Sequence, residues 1–222
     1  MNQEQWEARE ALRVQKEQQE RIEKLNILNQ YAAKGQILFT GSSLMEQFPV
    51  NEILMTKGLS YRIYNRGVSG FTTLDMLNHM DTMVFDLEPS RIFINIGTND
   101  IGATDYSEDA LLANYGRILT QIKERLPQAE VYVMAYYPVN ETDKLSRCEQ
   151  GAASFTNRNN KNIEAANQRI AGLAAEMGLH FIDVSEGLRD EHGRLKKEFT
   201  VEGIHMYANA YYVIFENMER YL

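Results

Sequence analysis

Residues 91–100 read Arg91-Ile92-Phe93-Ile94-Asn95-Ile96-Gly97-Thr98-Asn99-Asp100. An apolar run rich in β-branched side chains that stops at a glycine is the pattern of a buried strand entering a turn. The same texture recurs along the chain. Ile37-Leu38-Phe39-Thr40 ends at Gly41, and Tyr61-Arg62-Ile63-Tyr64-Asn65 runs on towards Gly67. Val131-Tyr132-Val133-Met134-Ala135 is stopped by Pro138, and His180-Phe181-Ile182-Asp183-Val184 is the last. Between these runs lie helix-like stretches at 73–87, 107–126 and 157–177, with a final one at 208–222. Strands alternating with helices predict βαβ units with right-handed crossovers, and so an α/β fold whose five-stranded parallel sheet is covered on both faces.

Upstream, residues 2–33 contain no Gly or Pro and are dense in strong helix formers, so they predict one long helix. Its apolar positions Trp6, Leu12, Ile22, Leu25 and Leu28 are sparse, and the polar stretch Gln15 to Arg21 interrupts them. That spacing is too irregular for a coiled-coil heptad. A helix packed partly on the domain is the favoured reading, and a homodimer contact through its exposed end is the sharper one. The division expected is a helical extension over 1–34 and one domain over 35–222. The 222 residues suit a single domain of this size.

Composition narrows the function classes. Hydrophobic residues at 44% and charged residues at 24% are enough to build a core and argue against disorder. The net charge of -8 repels phosphate backbones, so nucleic acid is not expected as a partner. No apolar run approaches the roughly 20 residues of a spanning helix, so stable membrane insertion is not expected. The first thirty residues are polar and carry no apolar h-region, which points to a cytoplasmic protein. The lone cysteine, Cys148, leaves no partner for an internal disulfide and no multi-cysteine zinc site. It falls in the polar stretch 140–160, read as a surface loop of the kind that often borders a site.

In parallel sheets, ligands bind at the carboxyl ends of the strands. Four segments stand there: Gly41-Ser42-Ser43-Leu44, Asn65-Arg66-Gly67-Val68-Ser69-Gly70, Gly97-Thr98-Asn99-Asp100 and, before the last helix, Glu202-Gly203-Ile204-His205. Taken singly, each has an ordinary reading. A serine after a strand commonly caps a helix, glycines serve turns, an asparagine makes an Asx turn, and a lone histidine is usually structural.

Taken in order, the four segments resemble the four blocks of the SGNH hydrolases, also called the GDSL esterase/lipase family, over residues 36 to about 210. The resemblance implies a three-layer α/β/α, flavodoxin-like fold. It also implies that Ser43 is the nucleophile and His205 the base. The oxyanion hole would be formed by the N–H groups of Ser43 and Gly70 and the side chain of Asn99. Acyl transfer needs these parts: a nucleophile, a base to take its proton, and donors aimed at the developing oxyanion. Ser42 and Ser69 are weaker candidates, read as turn residues. No Gly-x-Ser-x-Gly elbow is present, which counts against the α/β-hydrolase fold.

One position departs from the family pattern. The acid three residues before the histidine is Glu202, where the family has Asp. Its extra methylene requires the backbone to retreat or the carboxylate to approach differently, and Glu202 is read as the third member of the triad. Asp183 is a weaker substitute, expected in an Asx turn. His79, His180 and His192 have no partners at metal-ligand spacing, so no metal is expected, and the acyl-transfer mechanism that the resemblance implies needs no cofactor. Tyr136-Tyr137-Pro138 reads equally as pocket lining or as packing.

The expectation is a serine esterase that cleaves short-chain, first of all acetyl, esters of a carbohydrate or other small molecule through an acyl-enzyme. The alternatives are a lysophospholipase or an activity like platelet-activating-factor acetylhydrolase, a thioesterase, and a non-catalytic binding or assembly protein on the same fold.

Overall fold

The computed structural model describes residues 3–142 and 155–222. Five parallel strands, β1 (Ile37–Gly41), β2 (Ile63–Gly67), β3 (Arg91–Asn95), β4 (Glu130–Met134) and β5 (His180–Ile182), form one sheet in the order β2-β1-β3-β4-β5. The chain steps outward from β1 to β2 and then returns to β3 on the other side. The switch point therefore lies between β1 and β3, where the carboxyl edge opens a crevice.

Alternation along the strands sorts side chains to two faces. Leu38, Ile92, Ile94, Val131 and Val133 face one core, together with residues of α1 (Gln3–Asn29), α4 (Thr73–Asn78), α5 (Met80–Met83), α7 (Glu108–Arg125) and α8 (Asn160–Glu176). Phe39, Phe93, Tyr132, Met134 and Ile182 face the other, covered by α2 (Ser43–Glu46), α3 (Val50–Lys57) and α9 (Ala208–Met218). Helices on both faces make the three layers that the alternating pattern implied. Among the described residues, no helix is long and apolar enough to cross a membrane.

The expected helix over 73–87 is broken. His79, at φ −130°, separates α4 from α5, and a 3₁₀ turn at Phe85–Leu87 follows. Met76, Met80, Met83, Val84 and Leu87 are buried and would share one stripe of a continuous helix, which is why the segment reads as one; Phe85, equally buried, would fall on the opposite side of that helix. The carbonyl of Thr82 is satisfied from outside, by Asn29 Nδ2 at 2.9 Å. Strand β2 begins two residues later than its sequence pattern suggested, at Ile63.

Helix α1 is tied into this body. Ile22 and Leu25 belong to the first core, and buried Asn29 accepts from Arg66 Nε at 2.7 Å. Sequence position 148, the lone cysteine, lies outside the described residues.

Candidate active site

Gly41, Gly67 and Asn95 stand in one register row across β1, β2 and β3, so the turns that follow them leave the sheet side by side. Ser43 is the first residue of α2 and is 7% exposed. At that position no carbonyl of its own helix can reach its N–H. Asn65 holds α2 against β2: its Nδ2 donates to Met45 O at 2.5 Å, and its Oδ1 accepts from Gly67 N–H at 2.9 Å. A Cβ at Gly67 would fall 2.2 Å from Glu46 N, so only glycine lets the helix sit this close. The asparagine and glycine of the second block thus fix the serine of the first.

His205 is carried by a closed turn before α9. Thr200 and Met206 form an antiparallel bridge. Thr200 Oγ1 donates to His205 O at 2.9 Å and accepts from Gly203 N–H at 2.7 Å. Within this turn, Glu202 Oε1 lies 2.6 Å from His205 Nδ1 and also accepts the His205 backbone N–H at 2.9 Å. One oxygen on two donors is how the longer acid is accommodated: the side chain curls back over its own loop. Burial raises the Glu202 carboxyl, but bonds from the His205 ring and from the His205 and Ile204 N–H groups outweigh it and leave the acid below its ordinary value.

A carboxylate only accepts, so the proton on the imidazole belongs to Nδ1. Nε2 is then free as an acceptor, and it lies 3.0 Å from Ser43 Oγ. Serine, histidine and glutamate therefore form one continuous hydrogen-bonded chain, the geometry in which a base can take a hydroxyl proton.

Asn99 sits at the start of α6 (Thr98–Gly102), the turn after β3. Its Nδ2 donates to Phe71 O at 2.9 Å, which leaves the second N–H of that group free. Asp100 braces the same turn, accepting from Thr73 N–H at 2.9 Å and Oγ1 at 2.5 Å. The Gly70 N–H has no acceptor among the described residues. Ser43, Gly70, Asn99 and His205 all line one cavity of about 450 Å³.

Two groups of cavity residues escaped the sequence reading. Arg158, from the polar stretch after β4, donates through Nε to Thr98 O and through Nη2 to Asn99 Oδ1, both at 3.0 Å. Burial pulls its guanidinium down from the usual range, and the Glu202 carboxylate partly offsets this. The stretch had read only as a loop near a strand end. The other group is Val14, Glu17, Gln18 and Arg21 of α1, which form a wall of the cavity. For Glu17, Gln18 and Arg21 the signal was the polar interruption that spoils the heptad; Val14 lies just before it.

The remaining candidates fall elsewhere. Asp183 Oδ1 accepts from Ser185 N–H and Oγ, an Asx turn. His180 stacks on Tyr132 and His79 on Phe71. Tyr136 and Tyr137 are buried in the core, the Tyr136 hydroxyl donating to Ile96 O at 2.9 Å. Among the described residues, no three His, Cys, Asp or Glu side chains gather as metal ligands.

Comparison with known proteins follows the same lines. The model of the GDSL-like Lipase/Acylhydrolase family matches residues 50–213. A solved structure from Streptococcus pneumonia, provisionally described as a platelet activating factor, is 30% identical. It superposes with a TM-score of 0.87 over 100% of this chain and 99% of that one. An acetylxylan esterase from Geobacillus stearothermophilus shares the fold at 16% identity and a TM-score of 0.64, over 85% of this chain and 94% of that one. Among curated proteins, the N-acylneuraminate cytidylyltransferase of Escherichia coli O18:K1:H7 is 22% identical over 84% of this chain, which spans 40% of that protein's length.

Proposed function

The chain belongs to the GDSL-like lipase/acylhydrolase family, serine hydrolases that act on esters, and we propose that it removes short acyl groups, acetyl first, from a carbohydrate or other small hydroxylated molecule. The observation that carries the reading is the chain Glu202–His205–Ser43, with contacts of 2.6 and 3.0 Å, opening on a cavity of about 450 Å³. Its volume falls within the roughly 300–1,000 Å³ range of small-molecule sites. Polar groups from Glu17, Gln18, Arg21, Glu46, Gln47 and Arg158 line it beside the apolar Val14, Leu44, Val68 and Ile204, so it offers hydrogen-bonding partners as well as apolar contact. An acetylxylan esterase on a similar fold is in keeping with an acetyl group carried by a carbohydrate.

In this mechanism Ser43 Oγ attacks the ester carbonyl while His205 Nε2 takes its proton. The Ser43 and Gly70 N–H groups and the free N–H of Asn99 Nδ2 receive the oxyanion. Glu202 keeps the imidazole in the Nδ1–H form and stabilises the imidazolium that develops. His205 then protonates the departing alcohol. Water, deprotonated by the same nitrogen, attacks the acyl carbon, and His205 returns that proton to Ser43 Oγ as the acid departs.

Hydrolysis of p-nitrophenyl esters from acetate to laurate, with Ser43→Ala as control, tests the reading. Turnover that is highest on acetate and falls to background in the variant supports it. Turnover rising with chain length moves the substrate to lipids, and turnover retained by Ser43→Ala removes Ser43 from the mechanism.

A further inference from the structure

We propose that Gln18, on the N-terminal helix, is a positioning residue for catalysis: it locks the Ser69–Gly70 peptide so that the Gly70 N–H faces the oxyanion. The inference rests on the role given to Gly70 above and assigns α1 a part in the chemistry.

In a trans peptide the C=O and N–H point in opposite directions. Gln18 Nε2 donates to Ser69 O at 3.0 Å, on the α1 side of the turn. The N–H of that same peptide unit is the Gly70 N–H, and it is thereby directed away from α1. The adjoining peptide is held as well: Ser69 N–H donates to Glu46 Oε2 at 2.6 Å. Glu46 Oε1 pairs with Arg21 Nε at 3.2 Å, and the Arg21 guanidinium also reaches Gly67 O at 3.4 Å. Two side chains of α1 and one of α2 thus hold successive peptides of the glycine turn.

The turn needs such a hold. Gly70 has φ +78°, and glycine visits both signs of φ at little cost. An unrestrained Ser69–Gly70 unit can therefore rotate and swing the Ser69 carbonyl towards the cavity. A carbonyl there would repel the oxyanion that the N–H should receive. Rotation must break the Gln18 bond, and the bond also polarises the peptide in the direction that strengthens its N–H as a donor. The carboxamide lies directly on the turn: a Cβ at Gly70 would fall 2.7 Å from Gln18 Nε2.

The helix is built to deliver this group. Gln18, Ile22, Leu25 and Asn29 follow one another at steps of four, three and four residues, so they share one face. Ile22, Leu25 and Asn29 are buried in the body of the protein. Gln18 is the polar member that continues their stripe to the cavity.

The test compares wild type with Gln18→Ala and Gln18→Glu on p-nitrophenyl acetate, with Ser43→Ala alongside. Thermal melts and phenylboronate affinity are measured on each; phenylboronate forms a tetrahedral adduct on a serine oxygen. Removing an oxyanion donor outright costs on the order of 10²–10³ in kcat, so releasing one should cost Gln18→Ala about 10- to 100-fold. Little change in KM and an unaltered melt should accompany that loss. Phenylboronate affinity should weaken in step with kcat, and Gln18→Glu, which sets an acceptor against the Ser69 carbonyl, should lose more. If kcat and boronate affinity stay near wild type in both variants, or fall only in step with the melt, the inference is overturned and the proposed function stands. A wild type without Ser43-dependent hydrolysis overturns both.

Discussion

Arg158 Nη2 donates to Asn99 Oδ1 at 3.0 Å and so decides which way the Asn99 carboxamide faces. A guanidinium has only donors, so the atom it meets must be the oxygen, and Nδ2 is left for Phe71 O and the cavity. The second arm, Nε on Thr98 O, ties the same guanidinium to the backbone before Asn99.

Removing this brace should loosen the Asn99 donor without removing it. Arg158→Ala is expected to lower kcat by about 10- to 100-fold, the range for misplacing a group by about 1 Å. Arg158→Lys should recover only part, because an ammonium cannot span both oxygens in the planar geometry of the fork. Steady-state kinetics on p-nitrophenyl acetate measure both. A KM effect with kcat untouched would make Arg158 a substrate contact instead.

Glu202→Gln keeps the shape of the acid and replaces its charge. The imidazolium formed when Ser43 gives up its proton then loses its counter-charge, and kcat should fall by on the order of 10²-fold or more. Glu202→Asp is expected to be intermediate, since the shorter chain cannot keep one oxygen on both the ring and the backbone N–H of His205. A near-silent Glu202→Gln on p-nitrophenyl acetate would reduce the mechanism to a Ser43–His205 dyad.

The sheet was legible because β1, β3 and β4 carry near-continuous apolar runs that stop at or shortly before glycine or proline, and burial on both faces demands such runs. Three of the four candidate segments follow strands whose ends a parallel sheet gathers at one edge, and the set was legible as chemistry through its resemblance, in order, to the SGNH blocks. Two features were not. The break at His79 depends on how Met83, Val84, Phe85 and Leu87 find room in the core, and no local signal records that. The roles of Gln18 and Arg158 depend on contacts across sequence distances of 51 and 59 residues, made by side chains that on their own read as a solvated helix face and a loop.

Leu25 is 1% exposed and belongs to the core on the face that α1 shares with α5. Truncating a fully buried leucine removes its transfer free energy and leaves a cavity, so Leu25→Ala should cost about 2–5 kcal/mol. Leu12→Ala, at a position 67% exposed, should cost within about 0.5 kcal/mol. Urea denaturation of the two variants checks this. Equal, small effects would mean that α1 is an appendage and not part of the folded body.

The Glu202 carboxyl is held below its ordinary value in the folded protein, which fixes the sign of its contribution to stability. Between the lowered value and the ordinary carboxylate value of about 4.3, the unfolded chain binds more protons at this site than the folded one does. Its stabilisation is therefore fully present above that ordinary value and is lost as pH falls through the folded one. Glu202→Gln lacks the ionisation, so the gap in melting temperature between wild type and variant should be widest near neutrality and close in acid. Parallel melts from about pH 7 to about pH 3 measure it. A gap that stays constant across the range would assign the stabilisation to the shape of the side chain and not to its charge.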